Sequence, residues 1–93
     1  MWYLYIAKCA DGTLYTGITT DPKRREIEHN TSNELGAKSL RGKRPVKIVY
    51  TEAHQDQGMA RKREGEIKRW KRKYKLKLIS GFTRKMRSII PGA

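Results

Sequence analysis

The chain predicts an α/β fold, a small three-stranded, mostly antiparallel sheet flanked by three helices. Three observations carry that expectation. Two alternating arms rich in aromatic and β-branched residues flank Ala10-Asp11-Gly12, a third alternating run occupies residues 46–53, and Asp21 and Asp56 each precede a helix-forming stretch. Ninety-three residues without a break in composition suit one small domain.

The first two strands form a hairpin, and its register decides what shares a face. If Asp11-Gly12 alone closed the loop, Ala10 would face Thr13, and Tyr5 would lie on the side of Leu14 and Ile18. A three-residue loop, with Ala10 and Asp11 in a type I turn and Gly12 left-handed, instead pairs Cys9 with Thr13, Ala7 with Tyr15 and Tyr5 with Gly17. We favour this second register. It gathers Trp2, Leu4 and Ile6 with Leu14 and Ile18 on one apolar side, and leaves the phenols of Tyr5 and Tyr15 together on the other, beside a glycine that cannot cover them. A buried tyrosine needs a partner for its hydroxyl, so this face is expected to carry polar company. Ordinary sheet packing explains the same spacing.

Asp21-Pro22 supplies an N-cap acceptor followed by proline at the first helical position, which predicts a helix over residues 22–30. Its large apolar residue is Ile27. Arg25 and His29, four apart, project from one stripe roughly opposite Ile27 and do not read as core residues. They form either a solvated basic face or a guanidinium and an imidazole aimed together at an anion. Residues 31–45 hold no period and are expected to be loop, long for an idle connection in so small a domain. Lys38, Arg41, Lys43 and Arg44 on it are either plainly solvated or meet backbone phosphates. The run 46–53 is the third strand, with Val46, Ile48 and Tyr50 on its core face.

Asp56 caps a second helix expected over residues 57–72, with Met59, Ala60, Ile67 and Trp70 as its inward stripe. Glu64 is the misfit. It stands four after Ala60 and three before Ile67, in the middle of the stripe, while Glu66 points away. A carboxylate there is costly unless paired, for instance with Arg25, or bound to a cation. Gly65 costs the helix about 1 kcal/mol relative to alanine, which suggests close approach of a neighbour. Tyr74, Leu76 and Leu78 alternate as a strand would, yet residues 71–78 read equally as a helical arm, and a short last helix is favoured, with order ending at Gly81 and residues 81–93 a basic flexible tail.

A net charge of +13, spread along most of the chain, makes a polyanion the first partner to consider. The single cysteine, Cys9, cannot form an internal disulfide and reads as a small strand residue in a reducing compartment. No apolar run approaches the roughly 20 residues of a membrane span, and the helices lack a wide apolar face set against a basic one. A cytoplasmic protein without membrane association is therefore expected.

Taken together, Tyr3-Leu4-Tyr5, Tyr15-Thr16-Gly17, Arg25 ten residues later, His29 one helical turn on, and Glu64 in a downstream helix resemble the GIY-YIG nuclease superfamily over about residues 1–80. Gly36-Ala37-Lys38 and Arg41-Gly42-Lys43-Arg44-Pro45-Val46 look like its small single-domain bacterial branch, similar to the nuclease domain of structure-specific endonucleases that cut branched DNA. Tyr3 stands where the family name has glycine, and Thr16 where it has isoleucine.

The resemblance implies a metal-dependent DNA endonuclease of repair or recombination, with Tyr5, Tyr15, Arg25, His29 and Glu64 as its catalytic residues. Glu64 would be the one protein ligand of Mg²⁺, an ion that keeps several waters, with Mn²⁺ able to substitute. Tyr5 would be the general base, Tyr15 would position the water or phosphate, Arg25 would hold the phosphate, and His29 would orient the water or tyrosine. Lys38, Arg41, Lys43 and Arg44 would track the DNA backbone. The competing reading is a non-catalytic basic nucleic-acid binder, for example a ribosome-associated protein, for which charge and small size suffice.

Overall fold

A computed structural model of the chain describes residues 1–89. Strands β1 (Trp2–Lys8) and β2 (Leu14–Thr19) lead into α1 (Pro22–Thr31); a 3-10 turn (Lys38–Lys43) then precedes β3 (Lys47–His54), α2 (Gln57–Lys68) and α3 (Arg72–Ile89). The strand order is β2-β1-β3, and both pairings are antiparallel.

The hairpin adopts the three-residue loop. Gly12 sits at φ 85°, in the region that glycine occupies without steric cost, and Tyr5 pairs with Gly17 and Ala7 with Tyr15. The two sheet faces separate as that register requires. Leu4 and Ile6 pack with Leu14, Ile18 and Ile67 under α2 and α3, whereas Tyr5, Ala7 and Cys9 pack with Tyr15, Leu40 and Val46 on the opposite side.

The third strand departs from simple alternation. A bulge against Ile6 and Ala7 shifts the register, so that Ile6 faces Tyr50 while Ala7 faces Ile48. One extra residue between them sends consecutive members of the expected face to opposite sides. Ile48 therefore packs beside Tyr5, and Tyr50 joins Leu4 and Ile6.

α1 docks by hydrogen bonds rather than by an apolar stripe. Asn30 accepts from the Val46 N–H and donates to the Val46 carbonyl, both at 2.7 Å, and Glu26 accepts from the Ile48 N–H at 2.9 Å. Ile27 is consequently 62% exposed and His29 fully buried, the reverse of the expectation from side-chain polarity. A buried imidazole is tolerated because both of its ring nitrogens find partners.

The expected second helix is broken. α2 ends at Lys68, a turn follows through Arg69 and Trp70, and the chain re-enters helix at Arg72. Ala60 and Ile67 are buried as the stripe predicted, but Met59, in the first turn of the helix, is 50% exposed. A Cβ on Gly65 would meet nothing within 4 Å, so no neighbour needs that glycine. Gly81 does not end α3. The helix continues through it, with Leu78, Ile79 and Phe82 packed on the core and the Phe82 ring edge-on to Tyr50 at 5.3 Å between centroids. The expected tail is thus helical as far as Ile89, and its last four positions, 90–93, lie outside the described residues.

Candidate active site

The site is built around Tyr5, whose ring lies across the bare backbone of Gly17. A Cβ on Gly17 would sit 2.6 Å from the Tyr5 hydroxyl oxygen and 2.8 Å from its ring carbon Cζ. Glycine is therefore required here for space: β2 is an outer strand, and its missing side chain lets the phenol of the middle strand reach across it. Tyr5, Tyr15 and His29 form a ring cluster with centroids 5.5–6.1 Å apart.

The hydrogen bonds of His29 fix its tautomer. Its Nδ1 accepts from the Ala37 backbone N–H at 3.2 Å, and its Nε2 lies 2.7 Å from the Tyr5 hydroxyl. A backbone N–H only donates, so Nδ1 carries no proton. In the neutral ring Nε2 is then the N–H, and His29 donates to the Tyr5 oxygen. Burial, with the positive charges of Arg25 and Arg44 nearby, lowers the His29 pKa from its ordinary 6.5 to about 4, so the ring is neutral at pH 7.

The lock depends on Gly36. A Cβ there would come within 2.6 Å of the Glu28 carbonyl and 2.8 Å of the Ser32 carbonyl, so any side chain would push the following residue off the imidazole. The sequence analysis gave Gly36 and Ala37 no part in the site. The Gly36 N–H donates to the Ser32 carbonyl at 3.1 Å, a turn beyond the end of α1 that the sequence alone did not mark.

Arg25 stands beside the Tyr5 phenol and lowers its pKa, but burial is the larger influence, and with Tyr15 and the Glu64 charge it leaves that pKa well above the ordinary phenol value. In the free protein, then, Tyr5 is a protonated phenol at neutral pH. The Arg25 guanidinium bonds Glu28 at 3.1 Å and the Leu35 carbonyl at 2.5 Å through one nitrogen, Nη1, of a five-donor fork. Its acidic partner is Glu28 rather than Glu64.

Glu64 is only 15% exposed, and its partners are Lys68 at 3.4 Å and Arg61 at 4.0 Å, both more than half exposed and on its own helix. Such exposed pairs contribute little, and a cation would meet weak competition for the carboxylate. Among the described residues no three His, Cys, Asp or Glu side chains gather into a cage. One shielded carboxylate with weak competitors would suit a hard divalent cation that keeps most of its waters.

The four loop cations have different surroundings. Arg44 donates to the carbonyls of His29 at 2.7 Å and Ser32 at 3.2 Å, closing the end of α1, and Lys43 lies against Asp11 and Thr13 of the hairpin loop. Arg41 donates to the Asn33 carbonyl. Lys38 and Arg41 are exposed, whereas Lys43 and Arg44 are half-buried.

Comparison with known proteins shows the family of the chain. The model of the GIY-YIG catalytic domain matches residues 1–77. A UPF0213 protein of Staphylococcus saprophyticus is 51% identical over 78 residues, covering 84% of this chain and 93% of that protein. A UPF0213 protein of Desulfotalea psychrophila is 55% identical over 67 residues, or 72% of this chain, and the match spans 60% of its length. The solution NMR structure of a UPF0213 protein from Bacillus halodurans has a TM-score of 0.54 at 41% identity, covering 86% of this chain and 84% of that one.

Proposed function

The chain belongs to the GIY-YIG catalytic-domain family, and from that premise we propose that it is a divalent-metal-dependent endonuclease hydrolysing phosphodiester bonds of branched or damaged DNA. The observation that carries this reading is the Tyr5 phenol, seated across Gly17, bonded by a neutral buried histidine and within the fields of Arg25 and Glu64. A protein that only adheres to nucleic acid has no need to bury an imidazole against a phenol. A solvated basic surface would serve it.

Each side chain then has a task that its surroundings allow. Arg25 binds the scissile phosphate through the part of its fork not held by Glu28 and Leu35, and stabilises the charge that develops there. Tyr5, as the phenolate formed once its own proton has passed to solvent, orients the attacking water and receives a proton from it. His29 donates to the Tyr5 oxygen, which holds the phenol in place and stabilises negative charge on it. Tyr15 is half-buried beside both rings and positions the water or the phosphate. Glu64 would hold Mg²⁺, which supplies positive charge to the phosphate and lowers the pKa of water.

The test is nicking of labelled linear, flapped and four-way DNA in Mg²⁺, with Glu64→Gln alongside. The variant should lose cleavage by a factor of at least about 10² while DNA affinity holds or rises slightly, because a negative charge is removed. Full Mg²⁺-dependent cleavage by Glu64→Gln would overturn the assignment.

A further inference from the structure

Where α2 gives way to α3, Trp70, Tyr74, Lys77 and Leu78 line an open cavity of about 560 Å³, and we propose that it binds an unpaired base of single-stranded DNA. Its walls offer flat apolar surface: Tyr74 is 47% exposed, and Trp70 is half-buried against the core. Its rim is cationic. The Lys73 and Lys77 ammonium groups lie 5.1 and 5.8 Å from the centre of the Tyr74 ring, and the Arg63 guanidinium lies 5.1 Å from that of Trp70.

Charge complementarity selects the occupant. Residues 69–77 read Arg-Trp-Lys-Arg-Lys-Tyr-Lys-Leu-Lys, six cations without an acid. Among the described residues no carboxylate pairs with Lys71, Lys73, Lys75 or Lys77, whereas Arg61, Arg63 and Lys68 of α2 all have acidic partners. Aromatic faces interleaved with phosphate-reach cations are the platform on which successive bases stack while the backbone runs along the charges. An anionic membrane fits less well, because the apolar stripe of α3, Leu78, Ile79 and Phe82, is packed on the core and is not free to enter lipid. Duplex DNA meets the same charges but has no base to place in the cavity.

The inference rests on the nuclease reading only in taking DNA as the polyanion, and its test requires no cleavage. Fluorescein-labelled oligothymidylate and a blunt duplex of equal length are titrated by anisotropy into the full chain in EDTA. Tyr74→Ala should weaken single-strand binding about tenfold and duplex binding less than twofold. Tyr74→Phe should retain single-strand affinity, and Lys77→Gln should lower the slope of log K against log salt by about 0.7. Photo-crosslinking of a bromodeoxyuridine oligonucleotide to unmutated protein should map to Trp70 or Tyr74. Equal losses on both DNAs with Tyr74→Ala, or crosslinks confined to other residues, would overturn the proposal. So would loss of binding to anionic phosphatidylglycerol vesicles in Tyr74→Ala with single-strand affinity unchanged. Failure of the Glu64→Gln test with these results intact would remove the nuclease reading alone.

Discussion

His29 makes the stability of this protein sensitive to acid in a definite window. The buried ring has a pKa of about 4, against 6.5 for the ordinary imidazole, so the unfolded chain takes up a proton that the folded chain refuses. Its stabilising contribution is complete above the unfolded value and decays as pH falls from about 6.5 toward about 4. Between about pH 7.5 and pH 5 the difference amounts to about 2 kcal/mol, a large share of the stability of a small domain. Glu52 also loses its native advantage in acid. Its carboxyl is half-buried yet held below the usual value by bonds from Tyr50, His54 and Arg63, so its loss begins below about pH 4.5 and leaves the upper window to His29. Urea unfolding of the wild type and His29→Gln at half-unit steps through this window measures the effect. A glutamine amide can accept from Ala37 and donate to Tyr5 without titrating, so the variant's curve should be flat where that of the wild type slopes. Parallel curves would refute the argument.

Other perturbations probe the same architecture. Ala37 has φ −64°, the value proline prefers, but Ala37→Pro replaces the N–H that bonds His29 Nδ1 at 3.2 Å with a ring carbon aimed at that nitrogen, so the buried imidazole must give way. NMR spectra should then show the His29 and Tyr5 rings displaced, at a stability cost of about 2 kcal/mol. Gly17→Ala should displace Tyr5 from His29 and reduce cleavage by at least about 10², a loss that a ring moved by an ångström can cause. The altered Tyr5 environment should be visible by NMR without substrate. Gly65→Ala meets no neighbour and should stabilise α2 by about 1 kcal/mol, read as a raised urea midpoint with unchanged cleavage.

The hairpin was legible because glycine and the aromatic alternation both depend on local rules: one register puts Gly12 at positive φ and Tyr5 beside Gly17, and no other satisfies both. Glu64 was legible as a charge among apolar neighbours. The orientation of α1 was not, because Asn30 and Glu26 seat it through bonds to β3, whose edge is defined only after the sheet forms. The β3 bulge is likewise a property of pairing with β1 and leaves no trace in the alternation of residues 46–53. The separate surroundings of the loop cations were not legible for a related reason. A count of positive charges cannot distinguish Arg44, closing the end of a helix, from Lys38 in open solvent.

The direction of one hydrogen bond constrains the chemistry more than the list of residues does. Because the Ala37 N–H occupies Nδ1, His29 has no free lone pair to offer Tyr5 and cannot take its proton. A base role for Tyr5 therefore requires that its proton leave on another side. The His29 N–H and the guanidinium of Arg25 then stabilise the phenolate left behind. Burial above all, with smaller effects of Tyr15 and the Glu64 charge, opposes that state in the free protein, so the phenol is held protonated through neutral pH. Activity should then rise with pH well past neutrality instead of following an imidazole titration near 6.5. In the His29→Gln protein the same rise should persist at lower amplitude, since the amide still donates. A profile in wild type that breaks near pH 6.5 and loses that break in His29→Gln would instead make the histidine the base.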